Sequence, residues 1–449
     1  MANSIIEKLI NKEIPVDFNW NSEPHNKTKI LLNIPAEPTI SQIQNLEIVS
    51  DDLRDGLHGV SEYPKPSEML RYLVKLKSLG IKRAIVGIYP GEKNKIDRAI
   101  RTLLSGMTKK TPTITPIVLC LATENSVRWV AELKKIHPNI QALVFMGSAP
   151  SRLMVEEWEP KYVINKLSQA IKMCVDEYNI EVIAATEHTT QTPPEFLEKI
   201  IIAAIENGAK SFCIADTIGI ARPIGTHRLV TFVKNILKEI GAEDIQLEWH
   251  GHRDLGNDTA NTLTAIASGT QRVHTVARGI GERAGNTPLE NILLNCHLIL
   301  QENNLKSKWK LEKLMGVLRA YNKLVNVSPP SHGPLAERFS TTSLGIHTAA
   351  IYKAKMLSAN ANGLELKELA KKLDRMSRQI YSAVDPNTVG ETTVAYVGPW
   401  SGKNSVRLAY LLMGKDPNTL TEEKVNKVLE TVKNLERELT KNELIKLLG

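Results

Sequence analysis

Two histidines separated by one residue, His250 and His252, stand at the end of an apolar run and could together bind a metal ion. Residues 245–249 before them read as a β-strand, and side chains at positions i and i+2 of a strand face the same side. Both imidazoles can therefore point at one ion, with Asp55 as a third ligand. Two neutral nitrogens and one carboxylate leave coordination positions open, as a catalytic metal requires. The histidine pair alone is weak evidence, because more often one histidine is solvated and the other packs.

The chain has 449 residues, which is too long for one ordinary core and predicts two or three domains. Hydrophobic residues make up 42% and charged residues 24%, as in a soluble globular protein, and no apolar run approaches the roughly 18–20 residues that cross a bilayer. The net charge is +8, but the lysines are spread over helical faces and aromatic residues are only 5%, which argues against nucleic-acid binding. We expect a cytoplasmic protein with no membrane or nucleic-acid partner and with buried, reduced cysteines.

Short runs rich in β-branched residues alternate with amphipathic helical stretches, which predicts an α/β protein with a parallel sheet. Eight such units fit a closed (β/α)₈ TIM barrel better than an open doubly wound sheet, and no GxGxxG sequence opens a helix after the first strand. The predicted strands are residues 46–49, 83–86, 114–121, 142–146, 181–185, 211–215, 245–249 and 273–276. The predicted helices include residues 67–79, 124–136, 163–178, 194–207 and 223–240.

Polar residues follow six of these strands, at the end where the active site of a TIM barrel lies. Because the carboxyl ends of all eight strands open on one face, we expect these side chains to converge on one pocket. In strand order they are Arg54 and Asp55, Ser148, Glu187 and His188, Asp216 and Thr217, His250 and His252, and residues 282–286.

The predicted domains follow from where the strand–helix alternation begins and ends. Residues 1–45 hold four prolines and little periodicity, so we expect an N-terminal extension that wraps the barrel or contacts a partner. The catalytic barrel is expected over residues 46–305. A Lys-rich linker over residues 306–336 and a mainly helical accessory domain over residues 337–449 are expected to follow.

Four motifs, in this order, resemble those of the TIM-barrel metal-dependent lyases and Claisen-condensing synthases. They are Leu53-Arg54-Asp55-Gly56, Asp216-Thr217-Ile218-Gly219, His250-Gly251-His252-Arg253-Asp254 and the run from Gly279 to Asn286. Further motifs favour the branch of 2-isopropylmalate, homocitrate and citramalate synthases: Leu344-Gly345-Ile346-His347, Tyr381 before Asp385-Pro386, and Ser401-Gly402-Lys403. The resemblance implies condensation of acetyl-CoA with a 2-oxo acid, dependent on a divalent cation (Mn, Mg or Zn), to give a 2-hydroxy dicarboxylic acid and free CoA. It also implies a homodimer in which the C-terminal region reaches the neighbouring barrel.

The resemblance assigns roles to matching residues around the metal. Asp55, His250 and His252 would bind the ion, and Asn286 would lie close to it as a ligand or through water. The 2-oxo acid would chelate the ion through its keto oxygen and one carboxylate oxygen. Arg54 would then face the keto oxygen and stabilise the alkoxide as charge develops.

The resemblance also assigns roles in binding the substrates and in removing the acetyl proton. Thr217 would hydrogen-bond the substrate carboxylate, and Glu282 would sit near the acetyl-CoA thioester. His347, together with Tyr381, would take part in removing a proton from the acetyl methyl group, which is a poor acid and needs a well-placed base. Glu187 would line the pocket for the side chain of the oxo acid, and Ser148 is expected among the substrate-binding residues.

His58 departs from the synthase pattern, in which glutamine is usual at this position. The sequence Arg54-Asp55-Gly56-Leu57-His58 resembles the 4-hydroxy-2-oxoacid aldolases of the same superfamily, where this histidine is an acid or base. His58 is therefore either a catalytic or substrate-contacting group or a neutral structural histidine. The alternative function is a divalent-metal aldolase or lyase acting on a 4-hydroxy-2-oxo acid or a 3-hydroxyacyl-CoA. A third reading is a non-catalytic regulatory relative, and we expect no leucine-sensing C-terminal domain.

Overall fold

The computed structural model describes residues 37–91 and 94–448. The described residues form two compact units, one that extends to Ser328 and one that begins at Pro329. The N-terminal extension lies outside the described residues up to position 36, and helix α1 (Ile40–Asn45) follows, capped by Thr39. Within the part of the chain that is described, no helix is both long enough and apolar enough to cross a membrane.

Eight parallel strands close into a barrel in chain order, and β1 pairs with both β2 and β8. The predicted (β/α)₈ barrel is therefore confirmed, and the strand ends differ from the predicted ones by at most two residues. Several strands run past their last apolar residue, because the backbone ladder continues into the polar residues of the site. The strands are β1 (Glu47–Ser50), β2 (Arg83–Ile88), β3 (Thr115–Leu121), β4 (Gln141–Gly147), β5 (Glu181–Glu187), β6 (Ser211–Asp216), β7 (Gln246–Gly251) and β8 (Arg272–Thr275).

Amphipathic helices cover the outside of the barrel and bury their apolar faces against it. Helix α2 (Pro66–Leu79) is typical: Pro66 starts it, where a missing N–H costs nothing, and Gly80 ends it in the left-handed conformation. The helix predicted over residues 163–178 instead ends at Lys172, and a π-helical turn (Met173–Glu177) follows. The other helices of this unit are α3 (Lys95–Lys110), α4 (Glu124–Lys134), α5 (Pro150–Val155), α6 (Pro160–Lys172), α7 (Pro194–Glu206), α8 (Pro223–Glu239), α9 (Asp258–Ser268), α10 (Leu289–Glu302) and α11 (Leu314–Val325).

The barrel interior has an apolar core above a polar floor. The core is lined by Val49, Ile85, Ile117, Leu119, Leu143, Ile183, Ala185 and Cys213. The floor is built from side chains at the first positions of five strands. Glu47 accepts hydrogen bonds from Arg83 (2.8 Å) and Arg272 (3.0 Å), Arg83 also donates to Gln141 (2.7 Å), and Gln141 donates to Glu181 (2.7 Å). Each of these polar groups, of which Gln141 and Arg272 are buried, thus has a partner on another strand.

The unit that begins at Pro329 is mainly helical. Helix α12 (Gly345–Gly363) packs against α13 (Lys367–Gln379) and α14 (Lys403–Leu412). Helices α14, α15 (Glu422–Leu435) and α16 (Lys441–Leu448) share a small apolar core that includes Val406, Val428 and Leu444. Two short parallel strands, β9 (Thr341–Thr342) and β10 (Val394–Ala395), complete the unit.

Candidate active site

Asp55, His250 and His252 lie together at the carboxyl ends of β1 and β7. The Nε2 atoms of His250 and His252 are 3.1 Å apart, and Oδ2 of Asp55 lies 3.4 Å from the first and 3.6 Å from the second. All three residues are buried, and their ligand atoms lie within 4.8 Å of one another. Two imidazoles and a carboxylate converging on one point form a donor set that can hold a divalent metal ion.

Local structure explains why these three side chains converge. Along β7, Glu248 and His250 project into the barrel, as the two-residue period of a strand requires, and His252 follows on the same side. Asp55 begins a short 3₁₀ turn after β1. The turn passes so close to Tyr321 that a Cβ added to Gly56 would lie 2.2 Å from the Tyr321 Oη. The hydroxyl of Tyr321 donates to the Gly56 carbonyl oxygen at 2.7 Å, which fixes the turn against α11.

The electrostatic environment keeps these three groups in the protonation states that bind metals. Burial lowers the pKa of His250 to about 3 and also lowers that of His252. Burial alone would raise the pKa of the Asp55 carboxyl, but the Arg54 guanidinium and hydrogen bonds from His250 and His58 outweigh it and hold that pKa below its usual range. Nδ1 of His252 faces the Gly285 carbonyl oxygen at 3.2 Å, which turns Nε2 towards the site.

Asn286 lies beside the three residues of the donor set. Its Nδ2 donates to Oδ2 of Asp55 at 2.9 Å. Its Oδ1 is buried and has no hydrogen-bond partner within the described chain, so a carbonyl lone pair remains available. A Cβ on Gly281 would lie 1.8 Å from this oxygen, so the absence of a side chain at Gly281 is what gives Asn286 its place. The residues present therefore fit a divalent cation.

Arg54 lies beside the donor set and is itself almost buried. Its guanidinium pairs with Asp51 and with Oδ2 of Asp55, the latter at 3.2 Å. Burial raises the pKa of the Asp51 carboxyl to about 6, although Arg54 opposes that effect. The guanidinium is thus held against the same carboxylate as the two histidines, where it can meet a charge that develops at the site.

His58 and Glu282 form a pair at the mouth of the cavity. Nδ1 of His58 lies 2.8 Å from Oε2 of Glu282 and 3.1 Å from Oδ1 of Asp55. The hydrogen bond to Asp55 raises the pKa of His58, although burial acts in the opposite direction. Both side chains are about half exposed and line the cavity, so the structure brings both predicted groups to the metal side.

The cavity itself has a volume of about 340 Å³. Thr217 and Glu187 lie at its rim, and the Thr217 hydroxyl accepts the His188 backbone N–H at 2.7 Å, which leaves its own proton free to donate. Ser148 does not line the cavity. Its side chain is fully buried, donates to the Glu187 carbonyl oxygen at 3.0 Å and lies 2.6 Å from the Thr192 hydroxyl. Its place in the structure is to join the ends of β4 and β5.

His347 and Tyr381 lie together in the C-terminal unit. Their rings are stacked, with centroids 3.9 Å apart and planes 23° apart. They line a small cleft of about 50 Å³ with Arg378 and Thr342. The structure therefore brings together His347 and Tyr381, which were predicted to act together and are well separated in sequence.

The sequence analysis missed three buried polar residues beneath the donor set. Glu248 accepts from Arg272 at 2.9 Å and lies 2.9 Å from Nε2 of His274, and the His274 ring packs edge-on against His250 with centroids 5.4 Å apart. Asp51 lies 3.6 Å from Nδ1 of His250. Asp51, His250 and His274 form a second buried group with metal-ligand spacing. The two-residue period of Glu248, His250 and His252 was the signal that pointed to Glu248.

Comparisons with known proteins give a matching family and several similar proteins. The chain matches the family described as HMGL-like over residues 45–320. It is 25% identical over 415 residues to a 2-isopropylmalate synthase of Lysinibacillus sphaericus, which covers 90% of this chain and 74% of the relative. It is 25% identical over 405 residues to a protein assigned as (R)-citramalate synthase in Methanopyrus kandleri, covering 90% and 70%. A hydroxymethylglutaryl-CoA lyase structure from Pseudomonas aeruginosa shares the fold with a TM-score of 0.54, 16% identity, and coverage of 66% of this chain and 96% of that one.

Proposed function

The chain belongs to the HMGL-like family, and on that premise we propose that it catalyses a divalent-metal-dependent Claisen condensation of acetyl-CoA with a 2-oxo acid. The observation that carries this proposal is the extent of the synthase match. The synthase relatives align with 90% of the chain, which requires much of the C-terminal unit, whereas the lyase structure aligns with 66%. His347 and Tyr381 lie beyond residues 45–320, which match the family.

The metal would be held by Asp55, His250 and His252, with Asn286 beside it. When bound, it would supply Lewis-acid polarisation of the keto group. Arg54 would stabilise the negative charge that develops on the keto oxygen, since its guanidinium is already held beside Asp55. The Thr217 hydroxyl would donate to the substrate carboxylate, because its proton is not used within the protein.

His347 would remove a proton from the acetyl methyl group, and the resulting carbon would form a bond to the keto carbon of the oxo acid. Stacking on Tyr381 holds the imidazole ring in one orientation, which a base needs in order to meet a weakly acidic C–H. Water would then hydrolyse the thioester, which breaks the C–S bond and releases CoA as a free thiol. Glu282 would lie near that thioester. We place His347 at the barrel of the neighbouring subunit in a homodimer.

A lyase or aldolase is the second candidate, and one observation favours it. His58 lies 2.8 Å from Glu282 at the cavity mouth, where a paired imidazole could move a proton on a hydroxy-acid substrate. Such an enzyme would release a carbonyl product from a hydroxy-acid donor without consuming acetyl-CoA.

The deciding experiment measures thiol release from acetyl-CoA with Mn²⁺ or Mg²⁺ and a panel of 2-oxo acids. The proposal expects release only when an oxo acid is present, and loss of that release in His252→Ala and on addition of a chelator. Mixing His252→Ala with His347→Gln should restore part of the activity, because a mixed dimer would contain one complete site. Carbonyl release from a 4-hydroxy-2-oxo acid, with no thiol release across the panel, would support the second candidate instead.

A further inference from the structure

The walls of the cavity indicate which class of 2-oxo acid it accepts. We infer that the acid carries an uncharged, apolar side chain, and that 2-oxo dicarboxylic acids are excluded. This inference rests on the proposed function, because it concerns the same site. Two features support it: the residues on the side of the cavity that faces away from the metal ligands, and the charges around the rim.

Apart from Thr186 and Glu187 at the end of β5, the wall opposite the donor set is apolar from β2 to β6. In the barrel ladder Leu119 pairs with Leu143, Phe145 pairs with Ala185, and Ala185 pairs with Cys213. These five residues line the cavity, and four of them also belong to the apolar core of the barrel, with Phe145 packed against it. A substrate group that leaves the metal side therefore enters a surface continuous with the hydrophobic core.

The cationic groups that line the described cavity all have counter-charges already. Arg54 is paired with Asp51 and Asp55. Arg283 forms two hydrogen bonds with Asp254, at 2.9 and 3.2 Å, and donates to the Thr217 carbonyl oxygen. His58, the third such group, lies between two carboxylates. A second carboxylate on the substrate would find no cation here that is free to pair with it.

The remaining charge at the rim is negative. Glu187 lines the cavity, and its carboxylate lies 3.7 Å from Arg152, which is engaged more closely by Glu156 at 2.7 Å. Glu282, which faces His58, is the other carboxylate at the mouth. A distal carboxylate would thus lose water against an apolar wall and meet like charges at the rim. Burial of an unpaired charge predicts discrimination of about 100-fold or more against it.

The wall also leaves room beyond the keto group. Three of the lining residues on β5 and β6 are small, Ala185, Cys213 and Ala215, and Ala215 pairs in the ladder with the metal-side residue His250. The bulky residues Leu119, Leu143 and Phe145 lie on the neighbouring strands β3 and β4. A branched or extended aliphatic side chain would fill this recess, whereas pyruvate would leave it open, so kcat/KM should be higher for the longer acids.

The test compares pyruvate, 2-oxoisovalerate, longer aliphatic 2-oxo acids, oxaloacetate and 2-oxoglutarate by kcat/KM for thiol release. We expect the uncharged acids to exceed both dicarboxylic acids by about 100-fold or more. Phe145→Arg would add a cation to the wall. It should lower the ratio of kcat/KM for the uncharged acids to kcat/KM for the dicarboxylic acids at least about tenfold. Phe145→Met is the matched control, because it changes the same position of the wall without adding a charge, and the ratio should stay unchanged.

The outcomes separate this inference from the proposed function. Thiol release with a dicarboxylic acid as good a substrate as the uncharged acids would overturn the inference and leave the function intact. If no acid supports thiol release, the proposed function fails. In that case calorimetric titration of the Mn²⁺-loaded protein with 2-oxoisovalerate and 2-oxoglutarate still decides the inference: tighter binding of the uncharged acid supports it, and equal or tighter binding of the dicarboxylic acid overturns it.

Discussion

Substituting Gly281 by alanine should damage the metal centre without replacing any residue of the donor set. The added Cβ would lie 1.8 Å from Oδ1 of Asn286, and ordinary van der Waals contact begins at 3.4 Å, so the amide must move by about 1.6 Å, the difference of the two. Asn286 is buried, so it cannot relax into solvent. Its 2.9 Å hydrogen bond to Asp55 would break, and one support of the donor set would be lost. Gly281 does not have a positive φ, so backbone strain does not contribute.

Loss of a group that orients metal ligands costs roughly 10–100-fold in metal affinity. We therefore expect Gly281→Ala to weaken Mn²⁺ binding by that factor, about 1.4–2.8 kcal/mol. The steric conflict should also lower the free energy of unfolding of the metal-free protein by about 1–3 kcal/mol. Calorimetric titration measures the first quantity and chemical denaturation the second.

Two controls decide whether Asn286 carries the effect. Gly225→Ala adds a methyl group where nothing lies within 4 Å, so metal binding should stay unchanged. Asn286→Ala removes the displaced amide, so the double variant with Gly281→Ala should bind Mn²⁺ no more weakly than Asn286→Ala alone. Wild-type metal affinity in Gly281→Ala, or fully additive losses in the double variant, would refute the reasoning.

Three further predictions concern other parts of the molecule. Burial alone would raise the pKa of Glu248, but hydrogen bonds and charges from His274 and Arg272 on β8 lower it to about 2 from an ordinary 4.5. The ionised carboxylate therefore stabilises the fold by about 3 kcal/mol above pH 4.5, and this stabilisation is lost as the pH falls towards 2. The difference in free energy of unfolding between wild type and Glu248→Gln should shrink on acidification. His347→Gln should lower thiol release at least about 100-fold while calorimetric Mn²⁺ affinity stays constant. Gly56→Ala places Cβ 2.2 Å from Oη of Tyr321 and should lower the melting temperature, and Tyr321→Phe in the same chain should recover part of that loss.

The barrel and its three-residue donor set could be predicted because both depend on local periodicity. The strands follow from short apolar runs, and the two-residue period puts His250 and His252 on one side. Asp55 could be placed because it directly follows β1, and the carboxyl ends of parallel strands in a barrel share one face.

The features that could not be predicted depend on contacts distant in sequence. The two-residue period puts Glu248 on the same side as His250, but only the pairing of β7 with β8 supplies its partners, Arg272 and His274. Ser148 follows β4 as expected, but its hydroxyl turns to Glu187 and Thr192 on the neighbouring segment. When a distant partner sets the direction of a side chain, the neighbouring sequence does not indicate that direction.

The polar floor of the barrel has a consequence for protein synthesis. Glu47 near the start of the chain is joined to Arg272, more than two hundred residues later, in the strand pair that closes the barrel. Until β8 has left the ribosome, the Glu47 carboxylate can pair only with Arg83, and β1 lacks its second neighbour. A nascent chain that stops before Arg272 would therefore expose an open sheet edge, and such edges pair readily with other chains. We expect ribosome-bound chains truncated before Arg272 to need chaperones, and chains extended beyond Leu300 to resist proteolysis.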